Sequence, residues 1–235
     1  MKKIALLGLL ALAGAAQAAE LYNNGPVVGG GGLSILSLPA TTYGFGSQTT
    51  SGNSVAEDFL VTGNGWNISS FDFYAYQTGS TSFSLTTATW SVVSGDVNSG
   101  TVVASGTTAL TNGGLVGYRV TDTTLSDTAR GIYRAQADVT DFTLAAGTYW
   151  LRWSLTGTLA SGPWTPPTAD AAEGNAHQSI TSGAYTLLAE AGSGLGTTLP
   201  FTVHGSVVAV PEPSTYALML IGGLLVAGVA RRRKH

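Results

Sequence analysis

The feature that most constrains this chain is the alternation of apolar and polar residues with a period of two. In the segment 146–155, Leu151 and Trp153 fall on one face of an extended strand, whereas Trp150 and Arg152 fall on the other. A strand with one apolar and one polar face is typical of an antiparallel sheet that covers a core on one side only. The pattern therefore favours antiparallel strands over helices.

Similar strand-like segments follow one another along the chain. The predicted strands are 55–62, 68–76, 82–93, 101–110, 115–121, 132–142, 146–155, 179–188 and 201–207. Breaks such as Asn112-Gly113-Gly114 separate them, and Asn and Gly tolerate the positive φ of tight hairpins. We predict that residues 55–208 form an all-β domain, an antiparallel β-sandwich or jelly roll, with a flattened barrel as the alternative. The Gly- and Ser-rich residues 19–54 are predicted to be loosely ordered or to form edge strands.

The scarcity of charged residues excludes several classes of protein. Residues 19–210 contain four arginines, no lysine and twelve acids, which gives a net charge of −8. Nucleic-acid binding needs clustered cations, so we predict no nucleic-acid partner. Long exposed helices need charged outer faces, which this composition does not supply. The chain has no cysteine, which excludes a disulfide, a thiolate metal site and a cysteine nucleophile.

The N-terminus, residues 1–18, has the pattern of a secretory signal peptide. Lys2 and Lys3 precede a ten-residue apolar run, and Ala16 and Ala18 supply small residues at the cleavage positions. The run is too short to cross a hydrocarbon core of about 30 Å, so cleavage is favoured over anchoring. This pattern predicts a cleavable signal helix, with signal peptidase and the Sec export machinery as partners.

The C-terminus, residues 209–235, has three parts: a proline-bounded motif, an apolar run at 216–230 and a basic cluster. The motif consists of Val210, Pro211, Glu212, Pro213, Ser214 and Thr215, and the basic cluster consists of Arg231, Arg232, Arg233 and Lys234. The apolar run reaches only about 22 Å as a helix, so its Pro-Ser-Thr flank must enter the interface if the helix is to span the membrane. The cations keep the C-terminus cytoplasmic by the positive-inside rule, which places the domain outside.

This tail resembles the PEP-CTERM sorting signal of Gram-negative bacteria, with the Pro-Glu-Pro of the family at 211–213. The resemblance implies recognition by an exosortase, a membrane transpeptidase expected to cleave at or near Pro-Glu-Pro. It also implies a producer of exopolysaccharide or biofilm matrix, with transit through the inner membrane to the cell envelope, the outer surface or the extracellular matrix. Segments within 147–176 are similar to the ectodomains of other PEP-CTERM proteins. A plain single-span anchor is the alternative for the tail.

The sequence shows no established catalytic motif. It lacks the Gly-x-Ser-x-Gly elbow, the His-Glu-x-x-His zinc motif and the glycine-rich phosphate-binding loops. Glu57 and Asp58 are adjacent, so we expect them to point to opposite faces of a strand. A glycosidase needs two acids that flank the same glycosidic bond. His204 lies on the polar face of a strand and is predicted to be an ordinary, partly exposed residue. We expect no enzyme activity and no cofactor, with a hydrolase of matrix polymers as an alternative.

One short segment resembles the opening of a calcium loop. Asp96 and Asn98 offer oxygen ligands at alternate positions before a glycine. Ser99 and Thr107, however, stand where the calcium loop requires further ligands. The pattern therefore favours an Asx-type turn over a metal site.

The proline-containing segment 159–167 is the main candidate for ligand binding. Its prolines stiffen the loop around Trp164, and the polar Asn175, His177 and Gln178 follow. An aromatic ring beside amide groups is typical of sugar-binding modules, so these four residues form a candidate carbohydrate site. The alternative is that Trp164 plugs one end of the sandwich, as large aromatic residues commonly do.

These observations predict an exported, exosortase-sorted protein of the cell envelope or extracellular matrix. Its expected role is structural or adhesive, without catalysis, and it contacts the membrane through its C-terminal helix. The alternative is a carbohydrate-binding module that uses the Trp164 loop, with extracellular polysaccharide as the partner.

Overall fold

The computed structural model describes residues 18–209, which form thirteen strands. The strands are β1 (Ala19–Asn23), β2 (Leu33–Leu36), β3 (Phe45–Gly46), β4 (Ser54–Val61), β5 (Trp66–Ala75), β6 (Leu85–Ser94), β7 (Thr101–Thr121), β8 (Gly131–Leu144), β9 (Gly147–Gly157), β10 (Trp164–Thr165), β11 (His177–Ser179), β12 (Thr186–Leu187) and β13 (Phe201–Val207). Within these residues, no helix is long and apolar enough to span a membrane. Residues 1–17 and 210–235, which hold most of the predicted signal peptide and sorting tail, lie outside the described residues.

Most of the strands form one curled sheet that is antiparallel except at one pairing. Its order is β1-β13-β5-β8-β7-β6-β9-β4-β11-β12, and β2 pairs with β7 in parallel. Strands β3 and β10 form a separate two-stranded sheet. The prediction of an all-β, antiparallel fold is confirmed.

Strand β7 connects the two halves of the curled sheet. Its residues 101–109 pair with β6, and its residues 110–118 pair with β8. The predicted break at Asn112-Gly113-Gly114 is wrong, because the chain makes a bulge there instead of a hairpin. The Asn112 Oδ1 atom accepts a hydrogen bond from the Gly114 N–H at 2.9 Å within this bulge. A bulge bends its strand and increases the local twist, which turns β7 from one half into the other.

The two halves face each other across a single aromatic core. Phe73 of β5 stacks against Trp153 of β9 with ring centroids 5.5 Å apart, and Phe59 of β4 stacks against Trp66 of β5 at 6.3 Å. None of these four side chains is more than 4% exposed. Burial of such a side chain contributes on the order of 1.5–3 kcal/mol. The face of β9 that the alternation marks as apolar is therefore the face that lines the core.

Short strands lie beside the long strands of the curled sheet and form the separate β3–β10 pair. In residues 19–54, β1 pairs with β13, β2 with β7 and β3 with β10. The single strand predicted at 179–188 is wrong, because β11 and β12 are separated by a turn in which Thr181 and Ser182 have φ values of 53° and 59°. The Ser182 N–H donates to the Gly52 carbonyl at 2.7 Å, which holds this turn against the neighbouring loop.

Candidate functional site

Both ends of the described chain lie at the same end of the sheet. Ala19, the first residue of β1, pairs with Gly205 near the end of β13, and Val207 pairs with Trp66, the first residue of β5. The opposite end of β5 is Ala75, which is about 30 Å away at the usual rise per residue. We call the end at Trp66 the proximal end and the end at Ala75 the distal end.

Trp164 lies at the distal end, beside the last residues of β5. Its backbone N–H donates to the Tyr76 carbonyl at 2.9 Å, which joins β10 to that end of the sheet. The partly buried indole ring packs against a small hydrophobic cluster that contains Tyr74, Tyr76 and Ile132. Trp164 therefore covers the distal end of the sheet with part of its surface.

The remaining surface of Trp164 lines a cleft of about 680 Å³, which we call the Trp164 cleft. Polar groups lie around this cleft: the indole N–H donates to Ser161 Oγ at 3.3 Å, and the Asn53 amide donates to Gln48 Oε1 at 2.9 Å. The aromatic ring thus has amide and hydroxyl neighbours, but they come from residues 48–53 and from Ser161. The sequence could not indicate this, because residues 48–53 lie more than a hundred positions from Trp164.

The structure does not bring the other predicted ligand-binding residues to the Trp164 cleft. Gln178 pairs with the buried Val55, and its amide donates to the Gly46 carbonyl at 2.8 Å. His177 lies on the outer side of the sheet, where its ring packs edge-on against Trp150 at 5.0 Å. Because successive residues of a strand face opposite sides, the side chains of His177 and Gln178 diverge.

Asn175 contacts two carboxylates at the edge of β4. In the amide orientation that satisfies its neighbours, its nitrogen donates to Glu57 Oε1 at 2.9 Å and to Asp58 Oδ1 at 3.1 Å. Glu57 is 2% exposed, and its other oxygen accepts from the Leu199 N–H at 2.7 Å. Burial raises the pKa of Glu57 to about 8, against the lowering effect of the Leu199 N–H. Both carboxylates therefore bond the same Asn175 nitrogen, so the expectation that the adjacent Glu57 and Asp58 diverge is wrong.

A polar groove of about 450 Å³ crosses the outer face of β6, β7 and β9. Its hydroxyl groups come from all three strands and include Thr89, Ser91, Ser105, Thr107 and Ser154. At one end, the guanidinium carbon of Arg152 lies 5.1 Å from the ring centroid of Tyr185, and the buried Arg152 Nε has no hydrogen-bond partner within residues 18–209. The outward positions of each strand were visible as polar in the sequence, but the register that aligns them was not.

Asp96 and Asn98 form a compact turn. Asp96 Oδ1 accepts from the N–H groups of Ser99 and Asn98, both at 2.9 Å, and these bonds hold the pKa of Asp96 below its usual value. The Asn98 amide in turn bonds the backbone of Tyr185 at 2.7 and 3.0 Å. In the part of the chain that the structure describes, no three His, Asp or Glu side chains are grouped to hold a metal ion. The turn therefore stabilises the loop that carries Tyr185.

His204 has an acidic partner on the outer face of β5 and β13. Its Nε2 lies 2.9 Å from Oδ2 of Asp72, which is 2% exposed, and Arg134 lies 3.9 Å from the same oxygen. Asp72 and His204 are 132 positions apart in sequence, so the pairing depends on the register of β5 with β13. The contact joins the two strands.

The comparisons with known proteins identify the tail. A family profile described as the PEP-CTERM protein-sorting motif matches residues 209–234. No curated protein matches the chain. The chain therefore carries a PEP-CTERM sorting motif, as the sequence predicts, and is consistent with a PEP-CTERM domain-containing exosortase substrate. The motif indicates an exported protein that is processed at the membrane, with an exosortase as the processing partner.

Proposed function

We propose that the domain is a structural or adhesive component of the cell envelope or extracellular matrix, without catalytic activity. The observation that carries this proposal is the position of the two chain ends. Ala19 and Val207 both lie at the proximal end, and the sorting motif begins at residue 209. A link at the proximal end thus leaves the distal end and the sheet faces available for contacts with the matrix.

The surroundings of the buried acids support a role without catalysis. Glu57 accepts from Leu199 and Asn175, and Asp72 pairs with His204. Glu190 accepts four backbone N–H groups at 2.5 to 2.8 Å. Both oxygens of Glu57 and of Glu190, and one oxygen of Asp72, are occupied by bonds that hold strands or loops together. A hydrolase would need such acids to face its substrate.

Mass spectrometry and cell fractionation test the sorting part of the proposal. We expect the protein in the matrix fraction to lack both Met1 and His235. Replacement of Pro211, Glu212 and Pro213 by alanine should leave the tail intact and keep the protein in the membrane fraction. Recovery of His235 in the matrix-located native protein would contradict exosortase processing.

A deletion strain tests the structural or adhesive role. Cells without the protein should form a matrix that disperses more readily under shear, and the native gene should restore cohesion. The triple alanine variant serves as the matched control, since its domain is unchanged but its release is blocked. Normal cohesion in the deletion strain would contradict the proposed role.

Carbohydrate binding is a second candidate function, and the Trp164 cleft and the polar groove favour it. Both surfaces combine an aromatic ring with hydroxyl or amide groups, as sugar-binding sites do. The net charge of −8 on residues 19–210 repels polyanions, so the expected ligand is a neutral polysaccharide.

Two variants separate the two surfaces in a polysaccharide pull-down. Trp164→Ala removes the ring of the cleft, Ser105→Trp fills the polar groove, and Thr111→Trp is an exposed control on β7. Loss of binding in the first variant assigns the site to the cleft, and loss in the second assigns it to the groove. Absence of binding by the native protein, or binding that survives both changes, would reject these sites.

A further inference from the structure

We propose that a third cavity, between residues 35–40, 167–172 and 190–197, binds a small amphipathic carboxylate, with an apolar chain and one anionic head group. This carboxylate pocket has a volume of about 500 Å³, which is in the range of small-molecule sites. It lies apart from the Trp164 cleft and from the polar groove. The inference is independent of the proposed structural or adhesive function.

The apolar part of the ligand is indicated by exposed side chains at the pocket. Leu38 is 82% exposed, Leu195 is 49% exposed and Ile35 is 41% exposed, and all three line the same cavity. Single exposed apolar residues are common on protein surfaces, but a group of them around one cavity indicates a binding surface. An alkyl chain in the pocket would remove these side chains from water.

The anionic head group is indicated by Arg119, which lines the pocket and is only 3% exposed. Its guanidinium donates to the Tyr43 carbonyl at 2.9 Å, the Ser34 hydroxyl at 3.0 Å and the Thr42 carbonyl at 2.9 Å. All three acceptors are neutral, and no carboxylate within residues 18–209 forms an ion pair with Arg119. A guanidinium has five N–H groups, so two remain for a ligand.

The neighbouring acids, Glu190 and Asp170, do not form an ion pair with Arg119 in place of the ligand. Glu190 lines the same pocket, but backbone N–H groups occupy its carboxylate: those of Thr41 and Thr42 bind Oε1, and those of Gly192 and Ser193 bind Oε2. Their partial positive charges offset part of its negative charge, and the remainder acts on Arg119 without a direct ion pair. Asp170 is also at the pocket, where it is exposed to water and therefore screened.

Thr168 provides a second polar group at the pocket, and its hydroxyl has no partner among the described residues. The residue is only 3% exposed. A buried polar group that lacks a partner is destabilising, and such groups are rare in folded proteins. A carboxylate can accept from both a hydroxyl and a guanidinium, so one head group suits both Arg119 and Thr168.

Calorimetric titration of the exported protein with dodecanoate tests the proposal. Leu38→Glu places a negative charge at the pocket, and Leu125→Glu makes the same change at a leucine that is 50% exposed elsewhere. We expect Leu38→Glu to weaken dodecanoate binding about tenfold or more, and Leu125→Glu to change it by less than about twofold. Thr168→Val keeps the shape of the side chain and should weaken binding about threefold.

Dodecanol, which has the same chain but no charge, separates specific from general hydrophobic binding. We expect it to bind about tenfold more weakly than dodecanoate. Equal binding of the two compounds would overturn the assignment of Arg119 to an anionic head group. No binding of dodecanoate, or equal effects of the Leu38 and Leu125 substitutions, would overturn the site itself.

Discussion

Glu57 and Glu190 are buried carboxylates whose pKa values move in opposite directions because their hydrogen-bond donors differ. Glu57 lies against the core with two donors, so burial prevails and raises its pKa to about 8. For Glu190, burial also acts to raise the pKa, but the N–H groups of Thr41, Ser193 and Thr42 prevail and lower it to about 2. The two residues therefore act on stability at opposite ends of the pH range.

The stability of the protein is expected to fall as the pH rises, because of Glu57. A raised pKa means that its contribution to the free energy of unfolding is fully present below the ordinary value of 4.5 and is lost as the pH rises through about 8. Glu57→Gln should reduce this loss, which is on the order of 1–3 kcal/mol between about pH 5 and pH 9. Urea denaturation of both proteins across this range is the measurement, and identical pH dependence would contradict the prediction.

At acid pH the stability depends on Glu190. Because its pKa is lowered, its contribution is present above the ordinary value of 4.5 and is lost as the pH falls through about 2. Glu190→Gln should lower the free energy of unfolding at neutral pH by about 1–3 kcal/mol, since charged acceptors form the stronger bonds. Thermal denaturation at neutral and acid pH checks this: the difference between the variants should shrink in acid, and a constant difference would count against it.

At the scale of single residues, the sequence predicts a side chain's hydrogen bonds where the bonding partners are close to it in the chain. The turn of Asp96 depends on Asn98 and Ser99, which are two and three positions away. The contact of Asn175 with Glu57 spans more than a hundred positions and depends on where the chain enters β11. Sequence alone supplies no such register, so the candidate ligand-binding set came from neighbours in sequence.

At the scale of elements, the period-two pattern located the long strands. The segments predicted from it overlap β4, β5, β8, β9 and β13. It failed at Asn112-Gly113-Gly114, where the same residue types form a bulge within β7. Asn and Gly tolerate unusual backbone geometry in a hairpin and in a bulge alike, so composition does not distinguish them. The short strands β3, β10 and β12 have too few residues to show alternation.

The parallel pairing of β2 with β7 is expected to depend on Gly117. A Cβ atom at this position would clash with the Gly32 carbonyl oxygen and would lie 2.9 Å from a methyl group of Val28. Gly117→Ala should therefore separate β2 from β7 and lower the free energy of unfolding by more than about 2 kcal/mol.

Gly30→Ala is the matched control, because nothing lies within 4 Å of the added atom. Chemical denaturation of both variants provides the comparison. A similar loss of stability in the two proteins would show that close backbone approach at Gly117 is not the cause.

At the scale of the whole molecule, the common position of the chain ends predicts an orientation at the membrane. The chain has no cysteine, so single cysteines can be introduced at Leu60, which is near the proximal end, and at Leu159, which is near the distal end. In spheroplasts that carry the triple alanine motif variant, a large maleimide polymer should modify the Leu159→Cys protein several-fold faster. The two proteins should react at similar rates in detergent, and similar rates in spheroplasts would contradict the orientation.

The way β13 is bonded also determines how the domain carries tension. Strand β13 (Phe201–Val207) lies between β1 and β5, and hydrogen bonds join it to both neighbours. A pull on the chain at Ala209 acts along β13, whereas these bonds run across it. The load is therefore shared by both ladders as shear, and the strand cannot be peeled away one bond at a time. A protein attached to its surroundings through this strand is suited to hold under flow.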